Sequence, residues 1–215
     1  MIILPWRVVA EVQASSGEER VVRYGKEHKQ ATRRRIIEAA GRRFKRDGVD
    51  GSGVATLMAD VGLTNGAFYA HFESKDDLVA NVVTDQLRGQ CESLRALAPG
   101  RAGVEQFVRA YLSVAHRDNR EDGCPSAALL AELGRCAEAT KQSYTDGALV
   151  VVDDIAARLT PDNPHSARLR TLGVFALMVG TLQLSRVLAD RQLADDVLQQ
   201  GIQNALALLD ADQQN

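Results

Sequence analysis

Apolar residues recur at helical spacing along most of this chain, and the alternating pattern of a β-strand is almost absent. In the segment KQATRRRIIEAAGRRFKRDG, one helical stripe contains Ile36, Ile37, Ala40 and Phe44, with arginines between them. Gly48 follows at a position typical of a helix C-terminus. The pattern predicts an all-α fold whose first clear helix buries one face.

Two short helical segments follow this helix. The first spans residues 54–61 and is ended by Gly62, and Thr64 is placed to cap the second, residues 65–72. Two short helices joined by so tight a turn are predicted to form a helix-turn-helix.

The remainder of the chain predicts a larger helical domain. Further helices are expected from Ser74 to about Leu97 and near residues 103–118, 125–139, 140–159, 166–190 and 193–210. The last two carry the heaviest apolar load: Leu169, Leu172, Phe175, Ala176, Val179, Leu182 and Val187, then Leu193, Val197, Leu198, Ile202, Ala205, Leu206 and Leu209. Helices this apolar need a partner surface, which is either their own core or a second subunit.

Charge is distributed unevenly along the 215 residues. Residues 23–46 contain ten Lys or Arg against two Glu, whereas the chain from residue 81 onward has 13 basic and 17 acidic residues. A basic N-terminal segment followed by an acidic remainder of the chain indicates a nucleic-acid contact near the N-terminus. The alternative is an ordinary solvated helix face.

Several other classes of protein are disfavoured. No run approaches 18 apolar residues, and the apolar start stops at Pro5, so neither a membrane span nor a secretory signal is predicted. The three cysteines, Cys91, Cys124 and Cys136, are odd in number and widely spaced, which argues against a disulfide framework and a metal site. We expect a cytoplasmic protein with reduced thiols and no cofactor.

The segment GLTNGAFYAHFESKDDL, residues 62–78, carries the most specific chemistry. Phe68 and Phe72 share one helical face and are expected in the core. The opposite face is predicted to present Asn65, Gly66, Tyr69 and Ala70, with Ala67 and His71 at its flanks. Such a face suits a major groove, because its small residues allow close approach. Asn65 can hydrogen-bond a base edge, and Tyr69 can contact a phosphate or a thymine methyl.

A catalytic role for this segment is disfavoured. His71 lies near Glu73, Asp76 and Asp77 in the sequence, but no nucleophile is close and the spacing fits no metal site. The remaining alternative for His71 is a surface imidazole that acts only as a donor at the helix end.

These residues resemble a known family. The stretch RRRIIEAAGRRFKRDGVDGSGVATLMADVGLTNGAFYAHFESKDDLVANVV is similar to the DNA-binding domain of TetR/AcrR-type transcriptional regulators, over about residues 29–83. Its motifs I-x-E-A-A-x-x-x-F, G-L-T-x-G-x-F-Y-x-H-F and S-K-D-D-L occur in the family's order. By this resemblance, phosphates are expected at Thr64, Tyr69, His71 and Lys75, and bases at Asn65 and Ala67.

The resemblance also implies the domain organisation and the assembly. We expect a helix-turn-helix domain over 23–83 and a ligand-binding and dimerisation domain over 84–215. Members of the family act as homodimers whose two recognition helices enter successive major grooves of a palindromic operator. The apolar terminal helices of this chain are consistent with such a dimer.

One position departs from the family pattern. Gly53 stands where members usually place threonine at the start of the first helix of the helix-turn-helix. Glycine is tolerated at an N-cap, but it lacks a hydroxyl for a phosphate. Ser52 is expected to take over that contact.

A second resemblance concerns Cys124. The segment NREDGCPSAALLAELGR resembles a NemR-like or LmrA/YxaF-like sub-branch, in which Gly-Cys-Pro opens a helix of the ligand domain. Pro125 suits the first helical position, so that Cys124 would be the N-cap, where the helix dipole lowers a thiol pKa. The basic residues His116, Arg117 and Arg120 precede it. A lysine partner is not expected, because Lys141 is the only lysine after Lys75.

Two hypotheses for Cys124 follow. In one, the thiol is an oxidation- or electrophile-sensitive trigger that changes the spacing of the DNA-reading heads. In the other, Cys124 is a small buried cap that lines an ordinary apolar ligand pocket. Cys91 and Cys136 are interpreted as helix-face or core residues.

Residues 1–22 precede the usual start of the family. The segment ASSGEER is polar and rich in helix breakers, as in disordered segments. The extension is either a real arm, although net negative and poorly suited to DNA, or an annotation artefact with the true start at Val21 or Val22.

The sequence therefore predicts a ligand- or redox-responsive repressor, not an enzyme, that binds DNA as a homodimer. The alternative is an effector-independent structural or nucleoid DNA-binding protein on the same fold. An enzyme such as a thiol peroxidase ranks third.

Overall fold

The computed structural model describes the backbone of residues 17–210 and the side chains from residue 26 onward. Within this range the chain forms ten helices and no strand, which confirms the all-α prediction. The helices are α1 (Gly17–Asp47), α2 (Val54–Asp60), α3 (Asn65–Phe68), α4 (Lys75–Arg95), α5 (Gly100–Tyr111), α6 (Val114–Asp118), α7 (Ser126–Leu133), α8 (Glu138–Leu159), α9 (Pro164–Val187) and α10 (Arg191–Asp210).

The helix boundaries predicted at Gly48, Gly62 and Ser74 occur in the structure. Gly48 follows α1 with a φ of 82°, and Gly62 follows α2 with a φ of 69°, a region that favours glycine. Ser74 caps α4, because its hydroxyl accepts a hydrogen bond from the backbone N–H of Asp77 at 3.1 Å.

Several boundaries differ from the sequence-based expectation. The helix expected over 103–118 is two helices, α5 and α6, because the backbone bends at Leu112 and Ser113 then caps α6. The helix expected over 125–139 ends at Leu133, where Gly134 follows. Residues 17–22, assigned to the extension, belong to α1, and residues 1–16 lie outside the described residues.

The first buried core joins α1, α2, α3 and the first half of α4. Its largest fully buried side chains include Ile36, Phe44, Leu57, Met58 and Phe68. Helix α7 also contributes to this core through Ala128, Leu129 and Leu133. The second domain is therefore packed directly against the head, the part of the chain formed by α1 to α3 and the start of α4.

A second core lies between α4, α5, α8, α9 and α10. Helix α4 runs through both cores, with Leu87 in the first and Cys91 and Leu94 in the second. The predicted boundary after residue 83 therefore falls inside a continuous helix, which mechanically links the two domains.

Helix α9 has two apolar faces. One is buried in the second core through Val174, Phe175, Met178, Val179 and Leu182. The other remains exposed in the single chain and contains Leu169, Leu172, Leu184 and Val187. Residues Gly173 and Gly180 lie exposed between them, and a Cβ at either would meet no atom within 4 Å.

None of the helices in residues 17–210 combines the length and the apolar composition needed to cross a lipid bilayer.

Candidate nucleic-acid interface and buried polar cluster

Helix α3 and the turn after it are held on the head by two phenylalanines. Phe68 and Phe72 are 1% and 2% exposed, with ring centroids 5.6 Å apart, as the sequence predicted. The guanidinium of Arg33 lies 4.7 Å from the Phe72 ring centroid and donates to Asn81 Oδ1 at 2.8 Å. These contacts fix the orientation of α3 relative to α1 and α4.

The opposite face of α3 is exposed where the sequence predicted it. Asn65, Gly66, Tyr69 and Ala70 are exposed, and Ala67 and His71 are half-buried. The Tyr69 ring packs edge-to-face on Phe68, with centroids 5.3 Å apart, and yet 69% of the residue remains exposed. The Tyr69 side chain is thus exposed to solvent while the buried Phe68 ring holds its orientation. An amphipathic ring presented in this way is suited to contact another molecule.

Thr64 and Lys75 flank α3. Thr64 occupies the N-cap position of α3 with an exposed side chain, and its hydroxyl makes no capping hydrogen bond. Lys75 is the first residue of α4 and is half-buried. Helix α3 itself ends at Phe68, so Tyr69 and His71 lie in the turn after it and not in a helix extending to residue 72.

The His71 imidazole is kept uncharged. Burial, followed by the positive charges of Lys29 and Arg33, lowers the pKa of His71. Its buried Nδ1 has no hydrogen-bond partner among the described residues. His71 therefore contributes a neutral donor to this surface, and its cationic neighbours supply the attraction for an anion.

Ser52 does not lie on the interface, so the expectation for this residue is wrong. It is 0% exposed, and its hydroxyl donates to the carbonyl oxygen of Gly48 at 2.7 Å. The hydroxyl closes the turn between α1 and α2, and Gly53 forms the N-cap of α2 through its backbone alone.

The basic segment of α1 is only partly available to a polyanion. Arg43 forms a two-pronged pair with Asp60, at 2.5 and 2.8 Å, which ties α1 to α2. Arg46 pairs with Asp47 at 2.8 Å, and Lys45 is buried. The number of basic residues in the sequence therefore overstates the positive charge available at the surface, because several of them are paired or buried within the protein.

Cys124 is buried, and its surroundings differ from the prediction. Helix α7 begins at Ser126 with Pro125 at the N-cap position, so the prediction that Cys124 caps the helix is wrong. The thiol instead donates to Gln90 Oε1 of α4 at 3.3 Å. Its backbone N–H donates to Nε2 of His116 at 3.0 Å.

His116 is a neutral acceptor within the second domain. Burial lowers its pKa to about 4. Because Nε2 accepts from Cys124, the proton is assigned to Nδ1, which lies 2.7 Å from the carbonyl oxygen of Tyr111 and donates to it. A Cβ on Gly123 would lie 2.6 Å from the imidazole, so only glycine fits there.

Two cations from distant parts of the chain complete this region. Lys45 of α1 is 4% exposed, its ammonium donates to the carbonyl oxygen of Gly123 at 2.9 Å, and burial lowers its pKa to about 8. Arg186 of α9 donates to three backbone carbonyl oxygens, at 2.9 to 3.2 Å, and burial lowers its pKa. We refer to Lys45, Gln90, Tyr111, His116, Cys124 and Arg186 as the buried polar cluster, in which Arg186 is half-buried and the other residues are buried.

The sequence did not predict most of this cluster. Lysine was not expected near Cys124, but Lys45 reaches the adjacent residue from the first helix of the chain. Of the basic residues that precede Cys124, His116 does contact it, whereas Arg117 binds Asp118 and Asp195. No spacing in the sequence signals these contacts, because each comes from a different helix.

The other two cysteines have structural surroundings. Cys91 is buried in the second core, with its thiol 3.6 Å from Asp154 Oδ2, and Cys136 is half-buried, with its thiol 3.5 Å from the carbonyl oxygen of Glu132. Burial raises the pKa of both thiols. No cluster of three or more potential metal ligands occurs among the described residues.

A small apolar cavity lies in the second core, next to the cluster. Its volume is about 10 Å³, and it is lined by Val104, Phe107, Val108, Ile155, Thr171, Val174, Phe175, Met178 and Leu209. A cavity of this size holds about one water molecule, so the core is closed in this conformation.

An exposed face on a helix-turn-helix, joined to a separate helical core, is the architecture of a helix-turn-helix protein with a second helical domain. The family described as bacterial regulatory proteins, tetR family, matches residues 36–82. HTH-type transcriptional regulator TtgR of Pseudomonas putida is 46% identical over 59 residues, 27% of this chain and 28% of that protein. The chain thus spans little more than a quarter of that relative's length.

Solved structures extend the likeness across the fold. E. coli NemR in its reduced form has a TM-score of 0.69 at 16% identity, covering 81% of this chain and 95% of that chain. FadR from Bacillus subtilis, in complex with stearoyl-CoA, has a TM-score of 0.61 at 16% identity, covering 81% and 96%. Residues 36–82 thus match the DNA-binding domain of the tetR family, and the chain as a whole shares its fold with these solved structures.

Proposed function

We propose that this protein is a transcriptional repressor that binds a palindromic operator as a homodimer and releases it when the second domain binds a small ligand or Cys124 is modified. The observation that carries the proposal is the exposed face of α3 and the turn after it, which presents Asn65 and Tyr69 beside the buried Phe68 and Phe72. Thr64, Tyr69, His71 and Lys75 are proposed to contact phosphates, and Asn65 and Ala67 to lie against bases.

The homodimer is supported by the outer face of α9. Its exposed leucines and valine form an apolar stripe, and Gly173 and Gly180 leave room for the close approach of another helix. A second copy of the chain would cover this stripe through the same surface and place the two heads side by side. The two recognition segments would then read the two halves of one palindrome.

The response to an effector is supported by the contacts between the two domains. Helix α7 enters the core of the head, and α4 belongs to both cores. Glu132 of α7 also accepts a hydrogen bond from the backbone N–H of Val49, just after α1, at 2.6 Å. A change in the second domain would therefore shift the head. FadR, which shares the fold, is in complex with stearoyl-CoA.

Operator selection from random DNA tests the proposal. The full-length protein should enrich a palindromic sequence, and repetition with peroxide and then with a reductant should show reversible release. Cys124→Ser should abolish the response to peroxide, with Cys136→Ser as the matched control. Full release from the Cys124→Ser protein would exclude the thiol as the trigger and leave ligand binding as the route.

The alternative is an effector-independent structural DNA-binding protein, and the same selection separates the two. Such a protein would enrich no defined sequence and would bind all DNA with similar affinity. A protein that enriches an operator but is released by neither oxidant nor ligand would bind DNA specifically without an effector.

A further inference from the structure

The buried polar cluster contains more hydrogen-bond donors than acceptors. The Gln90 amide Nε2 and the Tyr111 hydroxyl have no hydrogen-bond partner among the described residues, although both residues are 1% exposed. Buried polar groups are nearly always paired, so two unpaired donors next to one thiol require an explanation. Cys124 connects them, because its thiol donates to Gln90 Oε1 and is the polar group nearest in effect to the Tyr111 hydroxyl. Burial, and then the charge and weak hydrogen bonding of this thiol, raise the pKa of Tyr111, but the thiol does not meet the geometry of a full hydrogen bond to that hydroxyl.

The cluster also has an excess of positive charge. Neither Lys45 nor Arg186 forms an ion pair within the described part of the chain, and both donate only to backbone carbonyl oxygens. Asp122 is a carboxylate whose charge acts on Lys45, but it pairs with Arg42 at 3.2 Å. Burying a cation without an anion is costly, and the Lys45 pKa of about 8 still leaves the ammonium largely protonated at neutral pH.

Tyr111 places this cluster beside the apolar core. On one side its ring centroid lies 4.8 Å from that of His116. On the other it lies 5.9 Å from Phe107 and 6.2 Å from Phe175, which line the small apolar cavity. A single molecule with an apolar body and a polar end would occupy both regions if the core opened.

We propose that the buried polar cluster binds the carboxylate of an apolar carboxylic acid, whose hydrocarbon body enters the core beside Phe107 and Phe175. Two carboxylate oxygens supply up to four acceptor positions and one negative charge, which is what the cluster lacks. The Tyr111 hydroxyl and the Gln90 amide donate to the oxygens, and Lys45 and Arg186 compensate the charge. The inference deepens the proposed function, because it names the chemical class of the effector.

Lys45 makes this site unusual, since it belongs to the helix that carries the head. A carboxylate would compete with the Gly123 carbonyl for the Lys45 ammonium, because an ionised acceptor forms the stronger hydrogen bond. Occupation of the cluster would thus change a contact of α1 directly, without a long chain of intermediate residues.

Calorimetric titration of the full-length protein with sodium octanoate tests the inference, with 1-octanol and octylamine as probes of equal length. Octanoate should bind at least about tenfold more tightly than either probe, because a hydrogen bond to a charged group contributes enough free energy for a tenfold difference in Kd. Equal binding of octanoate and octanol, or no binding of octanoate, would overturn the inference.

Two variants assign the carboxylate to the cluster. Tyr111→Phe removes a buried hydroxyl whose interaction with the Cys124 thiol is weak, so the Tm of the free protein should change little while octanoate affinity falls about tenfold. Lys45→Met should lower the preference for octanoate over octanol, whereas Lys141→Met, at a surface ion pair with Glu138, should not. Unchanged octanoate affinity in Tyr111→Phe would refute the assignment even if Lys45→Met did not fold.

These titrations contain no DNA, so they fail or succeed independently of the operator selection. Octanoate binding without an enriched operator would leave the carboxylate site standing and refute the repressor. An enriched operator with no octanoate binding would support the repressor and refute the carboxylate site.

Discussion

The ammonium of Lys45, in the helix that carries the head, donates a hydrogen bond to the carbonyl oxygen of Gly123, 2.9 Å away and directly before Cys124. The two residues are 78 positions apart in the sequence. Around this contact, Arg42 pairs with Asp122 at 3.2 Å and Glu132 binds the backbone of Val49. The second domain thus contacts the head through α7 and the loop before it.

The Lys45 contact predicts a specific pH dependence of stability. Its pKa is about 8 in the folded protein against 10.5 when unfolded, so between these values the unfolded chain binds more protons. Stability from this group therefore rises as the pH increases from about 8 to 10.5, by up to about 3 kcal/mol. Urea denaturation at several pH values should show this rise in the wild type and its loss in Lys45→Met. An identical slope in the two proteins would show that the ammonium is solvated.

His116 predicts a loss of stability in acid. Its pKa is about 4 when folded against 6.5 when unfolded, so the neutral form stabilises the folded state above pH 6.5. That contribution falls as the pH decreases toward 4, by up to about 3 kcal/mol. The free energy of unfolding of His116→Gln should depend less steeply on pH over this interval. His165→Gln, at an exposed histidine, is the control and should retain the wild-type slope.

Glu132 predicts a stabilising contact between the domains. Its carboxylate accepts from the Val49 N–H at 2.6 Å, and Glu132→Ala would leave this half-buried donor unpaired. We expect a loss of about 1 to 3 kcal/mol in the free energy of unfolding. Glu138→Ala, whose side chain is 86% exposed, should change it by less than about 0.5 kcal/mol. Equal effects would mean that solvent replaces the Glu132 contact.

The recognition surface predicts two kinds of DNA-binding defect. Tyr69→Ala or Lys75→Ala should weaken binding to every sequence, whereas Asn65→Ala should change the preferred sequence. If about six phosphates are neutralised per dimer, the slope of log K against log salt should be near about −5. Fluorescence anisotropy with operator and random duplexes measures both. A flat salt response would contradict the proposed interface.

If the outer face of α9 forms the proposed dimer, Gly180→Arg should yield a monomer. A side chain at this position meets no atom within 4 Å in the single chain, so the fold should persist, while the arginine would prevent another helix from approaching. Val150→Arg, at an exposed position of α8, is the matched control. Sedimentation equilibrium separates the outcomes, and a dimeric Gly180→Arg protein would place the interface elsewhere.

The sequence by itself determined the helical class, the helix-turn-helix and the two faces of the segment around Phe68 and Tyr69. These features depend on residues three or four positions apart, and the spacing of apolar residues in the sequence shows which of them share a helix face. It also indicated the apolar load of α9, but not that Leu172 and Val187 remain exposed while Val179 is buried.

Only the tertiary structure decided the surroundings of Ser52 and Cys124. Ser52 is buried because the turn after α1 folds its hydroxyl back onto Gly48. Cys124 meets Gln90 and His116, and Lys45 reaches the adjacent Gly123, because α1, α4 and α6 converge on one loop. Such contacts join side chains far apart in the sequence, so no local spacing records them, and the packing of the helices alone brings them together.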